Sequence, residues 1–288
     1  MSCDNCRKGS ALPGTPIGAI IDDAYYSPAP SSPGSDAPSK SAMILLMDAF
    51  GFDLDNPKIM ADTFAQKLGM DVWVPDIFDG TPIFRAHELD GLVPEKAGGK
   101  LASFGTLRFA AKVITRFPRF YANRPAVIDA RIHKFIDKIK KDKGYEKFGA
   151  VGYCYGGAAA VRLGATHLVN SIVVCHPGTI SESDIKAIRV PTSWCCAEED
   201  MSFKPALRKQ AEAIFLTRKE QKSFVDYEFK DWKGPSRCGL LVSDLEFSAL
   251  WIGMAHGFAA RPDTTDSEIK EAYEGGIKQT VSWFKKTL

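Results

Sequence analysis

The stretch Val151–Ala160, "VGYCYGGAAA", sets a cysteine between glycines and runs directly into small, helix-compatible residues. Gly152 and Gly156 stand two residues to either side of Cys154, and Gly157 follows. A nucleophile at the tip of a strand-to-helix turn sits on a strained backbone, and bulky neighbours would collide there. Glycines at these two positions relieve the crowding. The helix that begins after the turn aims its N-terminus at the thiol, which favours the thiolate. The backbone N–H of Tyr155 can then face a developing oxyanion. The competing reading is a buried cysteine in a glycine-rich packing turn. A strand pattern before the turn and a helix pattern after it favour the nucleophile.

Outward from this turn the chain alternates strands with helices. Upstream, "SAMILLMDAFG" (41–51) is a short apolar run ending at Asp48 and Gly51, suited to a strand buried on both faces. "NPKIMADTFAQKLG" (56–69) opens on Asn56 before Pro57, carries apolar residues at helical spacing and stops at Gly69. "MDVWVPDIF" (70–78) reads as the next strand, ending at Pro75. Before these, "IGAIIDDAYY" (17–26) forms an early strand or hairpin, and a proline- and serine-rich loop (27–40) follows it. Residues 79–124 read as irregular, with a basic cluster of Arg108, Arg116, Arg119 and Arg124. "PAVIDARIHKFIDKIKK" (125–141) is an amphipathic helix that Pro125 starts and C-terminal lysines suit.

Downstream, "SIVVCHPG" (171–178), "VPTSWCCAEED" (190–200) and "SFVDYEF" (223–229) are further short β-like runs. "KPALRKQAEAIFLTRKE" (204–220) is a helix, and "DSEIKEAYEGGIKQTVSWFKKTL" (266–288) a last helix broken by Gly275 and Gly276. The alternation predicts an α/β fold with a mostly parallel sheet covered by helices on both faces. Ligands bind such sheets at the carboxyl ends of the strands. The residues just past the apolar runs are Asp48, Asp76, Cys154, His176, Asp200 and His256.

A cysteine nucleophile needs a base, and the chain has five histidines. His87 falls in a polar loop, His133 in a charged helix, and His167 near the end of the helix after Cys154, where it can cap carbonyls. His176 either lines the pocket or serves the structure. On a nucleophile-elbow sheet the chain order is nucleophile, acid, histidine, and His256 is the histidine that follows a good acid candidate. That acid is Asp200, past the end of "PTSWCCA", where a carboxylate can orient an imidazole. Glu198 and Glu199 compete with it and read as solvated.

Composition sets the outer bounds. Hydrophobic residues at 45% and charged residues at 25% are ordinary for a soluble globular protein. Thirty-seven basic against 35 acidic side chains leave a net charge of +2, which argues against a nucleic-acid partner. No apolar run reaches the ~18 residues of a membrane span, so no membrane partner is expected. The first residues lack the apolar core of a signal peptide, and the expected compartment is cytoplasmic, with reduced thiols. Cys3 and Cys6 form a C-x-x-C without a second pair to complete a zinc site.

"GYCYGG", then "EED" after a strand, then "HGFAAR" resemble the dienelactone hydrolases of the α/β-hydrolase fold, most closely their fungal branch. "DAFGF", "VPDIFDG" and the C-terminal "WFKKTL" extend the likeness from about residue 12 to the end. The resemblance implies a single α/β-hydrolase domain over 1–288, with 1–16 expected to be a mobile N-terminus. It implies Cys154 as nucleophile, Asp200 as acid, His256 as base, and an oxyanion hole from the backbone of Tyr155 and Ala49. It also implies that Arg261 holds a substrate carboxylate, with a second arginine from 79–124. The expected substrate is a small lactone or ester of dienelactone type, cleaved by a monomer with no metal and no organic cofactor. Alternatives are a general esterase or thioesterase, or an impaired binding or redox protein.

Two departures from the family pattern stand out. Bacterial members carry a glutamate, which helps to activate the thiol, where this chain has Asp48. Aspartate is one methylene shorter, so Asp48 either activates Cys154 or holds its own loop. Secondly, "PSRCGLLVSDLEFSALWIG" (235–253) intervenes between the last strand and the histidine motif. It reads as translated intron sequence or, alternatively, as a lid with Leu245, Phe247 and Trp251 facing substrate.

Overall fold

The computed structural model describes residues 11–30, 39–85, 88, 114–197, 200, 202–232, 259–262 and 267–288. Its strands are β1 (Ala19–Ile21), β2 (Ala24–Ser27), β3 (Ser41–Leu46), β4 (Asp71–Pro75), β5 (Lys147–Tyr153), β6 (Ser171–Cys175), β7 (Thr192–Ala197) and β8 (Tyr227–Trp232). They form one sheet in the order β1-β2-β4-β3-β5-β6-β7-β8. The β1–β2 and β2–β4 pairs are antiparallel; from β4 onward every pair is parallel. The predicted α/β class and mostly parallel sheet are what the chain forms.

The central strands are buried as their unbroken apolar runs predict: Met43, Ile44, Leu45 and Leu46 are all within 1% exposure. Burying each such side chain stabilises the fold by about 1.5–3 kcal/mol. The helices are α1 (Asn56–Leu68), α2 (Phe117–Ala122), α3 (Pro125–Lys143), α4 (Tyr155–Leu163), α5 (Glu182–Ala187), α6 (Pro205–Thr217) and α7 (Ser267–Thr287). Two glycines of β5 show that both faces are covered. A Cβ on Gly149 would meet Phe284 of α7, and one on Gly152 would meet Gly156 of α4. Residues three apart on a strand point to opposite faces. The α1 and α3 helices end at Gly69 and Gly144, both left-handed, where a glycine cap closes the last turn.

Four local expectations need correction. The last helix is not broken at Gly275 and Gly276; it runs through them. A Cβ on Gly275 would lie 1.9 Å from the Trp232 ring, so this glycine admits an indole from β8 rather than ending the helix. The stretch 79–124, expected to be irregular, contains α2, a short helix with no clear apolar period. The α5 helix, also unanticipated, starts with a capping box in which Ser181 and Asp184 satisfy each other's backbone N–H. The last strand begins only at Tyr227 and extends to Trp232. Of the N-terminal segment expected to be mobile, residues 11–16 are described, and there Leu12 is buried with its N–H donated to Asn56 Oδ1. Among the described residues, no helix is long and apolar enough to cross a membrane.

Register decides where chemistry can occur. Leu46 pairs with Gly152, Tyr153 with Cys175, and Cys175 with Cys195. The carboxyl ends of β3, β5, β6 and β7 therefore lie side by side. Asp48, Cys154, His176 and Asp200 follow those ends.

Candidate active site

Cys154 joins β5 to α4 with φ 51° and ψ −109°, a left-handed conformation that a non-glycine residue adopts at a cost. Hydrogen bonds hold it there. Its N–H donates to the Cys175 carbonyl at 3.2 Å, and its own carbonyl accepts from Gly178 at 2.7 Å and Ala158 at 3.1 Å. The flanking glycines allow the close approach this turn demands. A Cβ on Gly152 would sit 2.1 Å from the Gly156 carbonyl oxygen, and one on Gly156 would sit 2.1 Å from that of Leu46. The crowding inferred from "GYCYGG" is a contact between backbones, which no side-chain shift could relieve.

Asp48 follows β3 and is 6% exposed. Its Oδ1 accepts the Phe50 N–H at 3.0 Å, and its Oδ2 accepts from Arg261 Nε at 2.9 Å. The Arg261 guanidinium also lies over the Phe50 ring, 3.9 Å from its centroid. One residue earlier, the Ala260 carbonyl accepts from Asn56 Nδ2 at 3.0 Å. Asn56 thus ties the 259–262 segment to the start of α1 while its Oδ1 receives Leu12. Asn56 is the first residue of α1, after the cap position Asp55, and its side chain reaches across the fold.

Burial pushes the Cys154 thiol well above its ordinary pKa, and the nearby Asp48 carboxylate adds to that rise. The Arg261 charge and the Tyr155 N–H oppose it, and Asp200 raises it further by a smaller amount. Four of the residues named from the sequence, Asp48, Arg261, Tyr155 and Asp200, therefore act on one sulfur. Asp200 is 5% exposed, and its Oδ1 caps the following turn by accepting from Ser202 and Phe203 at 2.8 and 2.7 Å. His176 is fully buried with φ 34°, donates its N–H to the Cys195 carbonyl at 3.0 Å, and has Tyr153 as a ring neighbour at 6.0 Å.

Tyr155 opens α4 directly after the thiol, and Ala49, 2% exposed, follows Asp48. His256, Glu198, Glu199, His87, Arg108, Cys3, Cys6 and the 235–253 segment lie outside the described residues. The other arginines of the basic cluster are engaged elsewhere. Arg116 and Arg119 both pair with Glu88, and Arg124 lies over the Tyr121 ring at 4.5 Å. A small cavity beside the ion pair is walled by Leu45, Met47, Leu54, Met60 and Tyr153, and Cys154 is not part of its wall. Among the described residues, no three His, Cys, Asp or Glu side chains are grouped to hold a metal ion. Cys175, Cys195 and Cys196 are free thiols.

Sequence reasoning missed the anchoring roles of Asn56 and Phe50. Neither role has a local signal, because Arg261 over the Phe50 ring and Leu12 and Ala260 at Asn56 lie far along the chain.

The pattern of the dienelactone hydrolase family matches residues 31–230. Hydrolase pyvD of Aspergillus violaceofuscus is 27% identical, over 88% of this chain and 84% of its own length. Hydrolase tropI of Talaromyces stipitatus is 26% identical, over 98% of this chain and 95% of its own. The crystal structure of a dienelactone hydrolase-like promiscuous phosphotriesterase, P91 from metagenomic libraries, superposes with a TM-score of 0.58 at 19% identity, covering 92% of each chain. That similarity shows a shared fold.

Proposed function

The chain belongs to the dienelactone hydrolase family, and we propose that it cleaves lactones or small carboxylate esters through a Cys154–Asp200–His256 triad and a thioester acyl-enzyme. The observation that carries this reading is the strained turn at Cys154, set at the carboxyl end of the central strand β5, where Asp48, Arg261 and Asp200 all act on its thiol. A backbone strained at a buried thiol is what a nucleophile elbow requires.

The raised thiol pKa defines what the base must do. Cys154 rests protonated, so attack needs a group that accepts its proton as the bond to carbon forms. His256 takes that proton, and Asp200 orients the imidazole and stabilises its charged form. The carbonyl oxygen becomes an oxyanion met by the N–H groups of Tyr155 and Ala49. Collapse expels the alkoxide, which the imidazolium protonates, and water then releases the acid by the same steps in reverse.

The reach of His256 follows from its distance along the chain to Ala260, whose carbonyl Asn56 holds. Four peptide units span at most about 14 Å. The 235–253 segment lies on the other side of His256 and does not enter that distance. Arg261 supplies the charge for a substrate carboxylate, which would compete with Asp48 for the guanidinium. Substrate recognition would then change the charge beside the thiol, the route by which Asp48 could take part in its activation.

The test is turnover of a dienelactone, p-nitrophenyl acetate and an acyl thioester by the native protein and Cys154→Ala. The proposal expects the lactone to be preferred and the variant to be inactive on all three. Equal turnover with and without Cys154 would refute the mechanism, and equal rates on all three substrates would refute the preference.

A further inference from the structure

The Tyr155 side chain carries a contact that the triad does not use. Its hydroxyl donates to the backbone carbonyl of Asn123, and its ring packs on Phe78 at 5.6 Å. Asn123 joins α2 to α3 and is 1% exposed. Its side chain is held at both ends: Nδ2 donates to the carbonyls of Thr81 and Arg119 at 3.1 and 3.0 Å, and Oδ1 accepts from Arg131 at 2.8 Å. Arg131 in turn donates to the Ile77 carbonyl at 2.9 Å. The carbonyl that receives Tyr155 therefore belongs to a residue clamped between the loop after β4 and the helix α3.

The backbone N–H of Tyr155 itself lies against the Cys154 sulfur, where it opposes the rise of the thiol pKa. One residue thus has its amide at the reacting atoms and its phenol tied to a rigid hub on the far side. The amide of Gly156 is bonded to the Met47 carbonyl at 3.1 Å, and a Cβ on Gly156 has no room. The first turn of α4 is thereby fixed from one side by β3 and from the other by Asn123.

We propose that the Tyr155 hydroxyl, through its bond to Asn123, is a positioning group that holds the Tyr155 N–H at the place where the oxyanion forms. This rests on the cysteine mechanism above, in which that amide is an oxyanion donor. The physical reason is that such a donor works only when aimed beforehand, and small misplacements are costly. A bulky phenol in a notch of Phe78 and Asn123 resists rotation of the peptide that carries the amide.

The contact makes a separable prediction, because not every reaction of Cys154 forms an oxyanion. Alkylation by iodoacetamide displaces iodide from carbon and needs no oxyanion hole. Acylation by p-nitrophenyl acetate passes through a tetrahedral oxyanion. Tyr155→Phe, which keeps the ring on Phe78, should lower the acylation rate constant by roughly 10- to 100-fold. KM should stay within about twofold of the native value, and alkylation should lose far less than acylation, its pH profile moving only upward because the same N–H opposes the rise of the thiol pKa. Asn123→Ala, which keeps the accepting carbonyl but frees its clamp, should show the same split to a smaller degree.

Unchanged acylation in Tyr155→Phe would overturn the proposal, as would equal loss of acylation and alkylation. If Asn123→Ala does not fold, the Tyr155→Phe pair of rates decides alone. Failure of the cysteine mechanism itself would be recognised separately, since native protein would then form no acyl adduct on Cys154.

Discussion

Arg261 Nε meets Asp48 Oδ2 at 2.9 Å, joining two residues 213 positions apart. The pair is largely withdrawn from water, with side-chain exposures of 13% and 8%. Both charges act on the Cys154 thiol, with opposite signs. In the proposed mechanism, a substrate carboxylate that drew Arg261 away from Asp48 would change the charge beside the thiol.

The signs can be separated by mutation. Asp48 raises the thiol pKa, so Asp48→Asn should move the pH profile of iodoacetamide alkylation to lower pH. Arg261 lowers it, so Arg261→Gln should move the profile to higher pH. Opposed shifts of the two midpoints are the expected result. An upward shift in Asp48→Asn would show instead that the carboxylate activates the resting thiol.

The elbow glycines tolerate no side chain. Gly152→Ala and Gly156→Ala each place a Cβ 2.1 Å from a backbone oxygen. Each should cost about 3 kcal/mol or more in denaturant unfolding. A loss below about 1 kcal/mol would mean that the turn is looser than these contacts require.

Asn56 should matter to catalysis without touching substrate. Asn56→Ala leaves the Leu12 N–H and the Ala260 carbonyl without their partner. Stability should fall by about 1–3 kcal/mol. Because Ala260 anchors the chain that leads back to His256, kcat should also fall, by about 10-fold, with KM little changed. Loss of stability with an unaltered kcat would remove Asn56 from the placing of the histidine.

The Trp232–Gly275 contact fastens β8 to α7, on either side of the segment that bears His256. Trp232 also donates from its indole N–H to Gln279 at 3.1 Å. Gly275→Ala should destabilise the fold by about 1–3 kcal/mol. Combined with Trp232→Leu, its cost should be smaller than the sum of the two single changes, since the clash disappears. Strict additivity in equilibrium unfolding would argue against the contact.

These residues also mark how far the sequence could be read. The alternation of apolar runs and helical spacing was enough for the sheet and most helices, because periodicity is local. The turn at Cys154 was legible for the same reason: glycines two residues either side have one economical explanation. The Asp48–Arg261 pair was not, since the two residues lie 213 positions apart and nothing local links them. Gly275 and Gly276 looked like a helix break because the indole that needs the space comes from another strand. The reach of Asn56 is hidden in the same way, because its partners lie at Leu12 and Ala260. What the sequence withheld was long-range pairing.

The most direct measurement of the central claim is rapid mixing of the native protein with excess p-nitrophenyl acetate, followed by intact mass and peptide mapping. The account predicts a burst of p-nitrophenolate equal to the enzyme concentration, with a single acetyl group on the Cys154 peptide. Cys154→Ala should show neither. An acetyl group on another residue, or full turnover by Cys154→Ala, would contradict it.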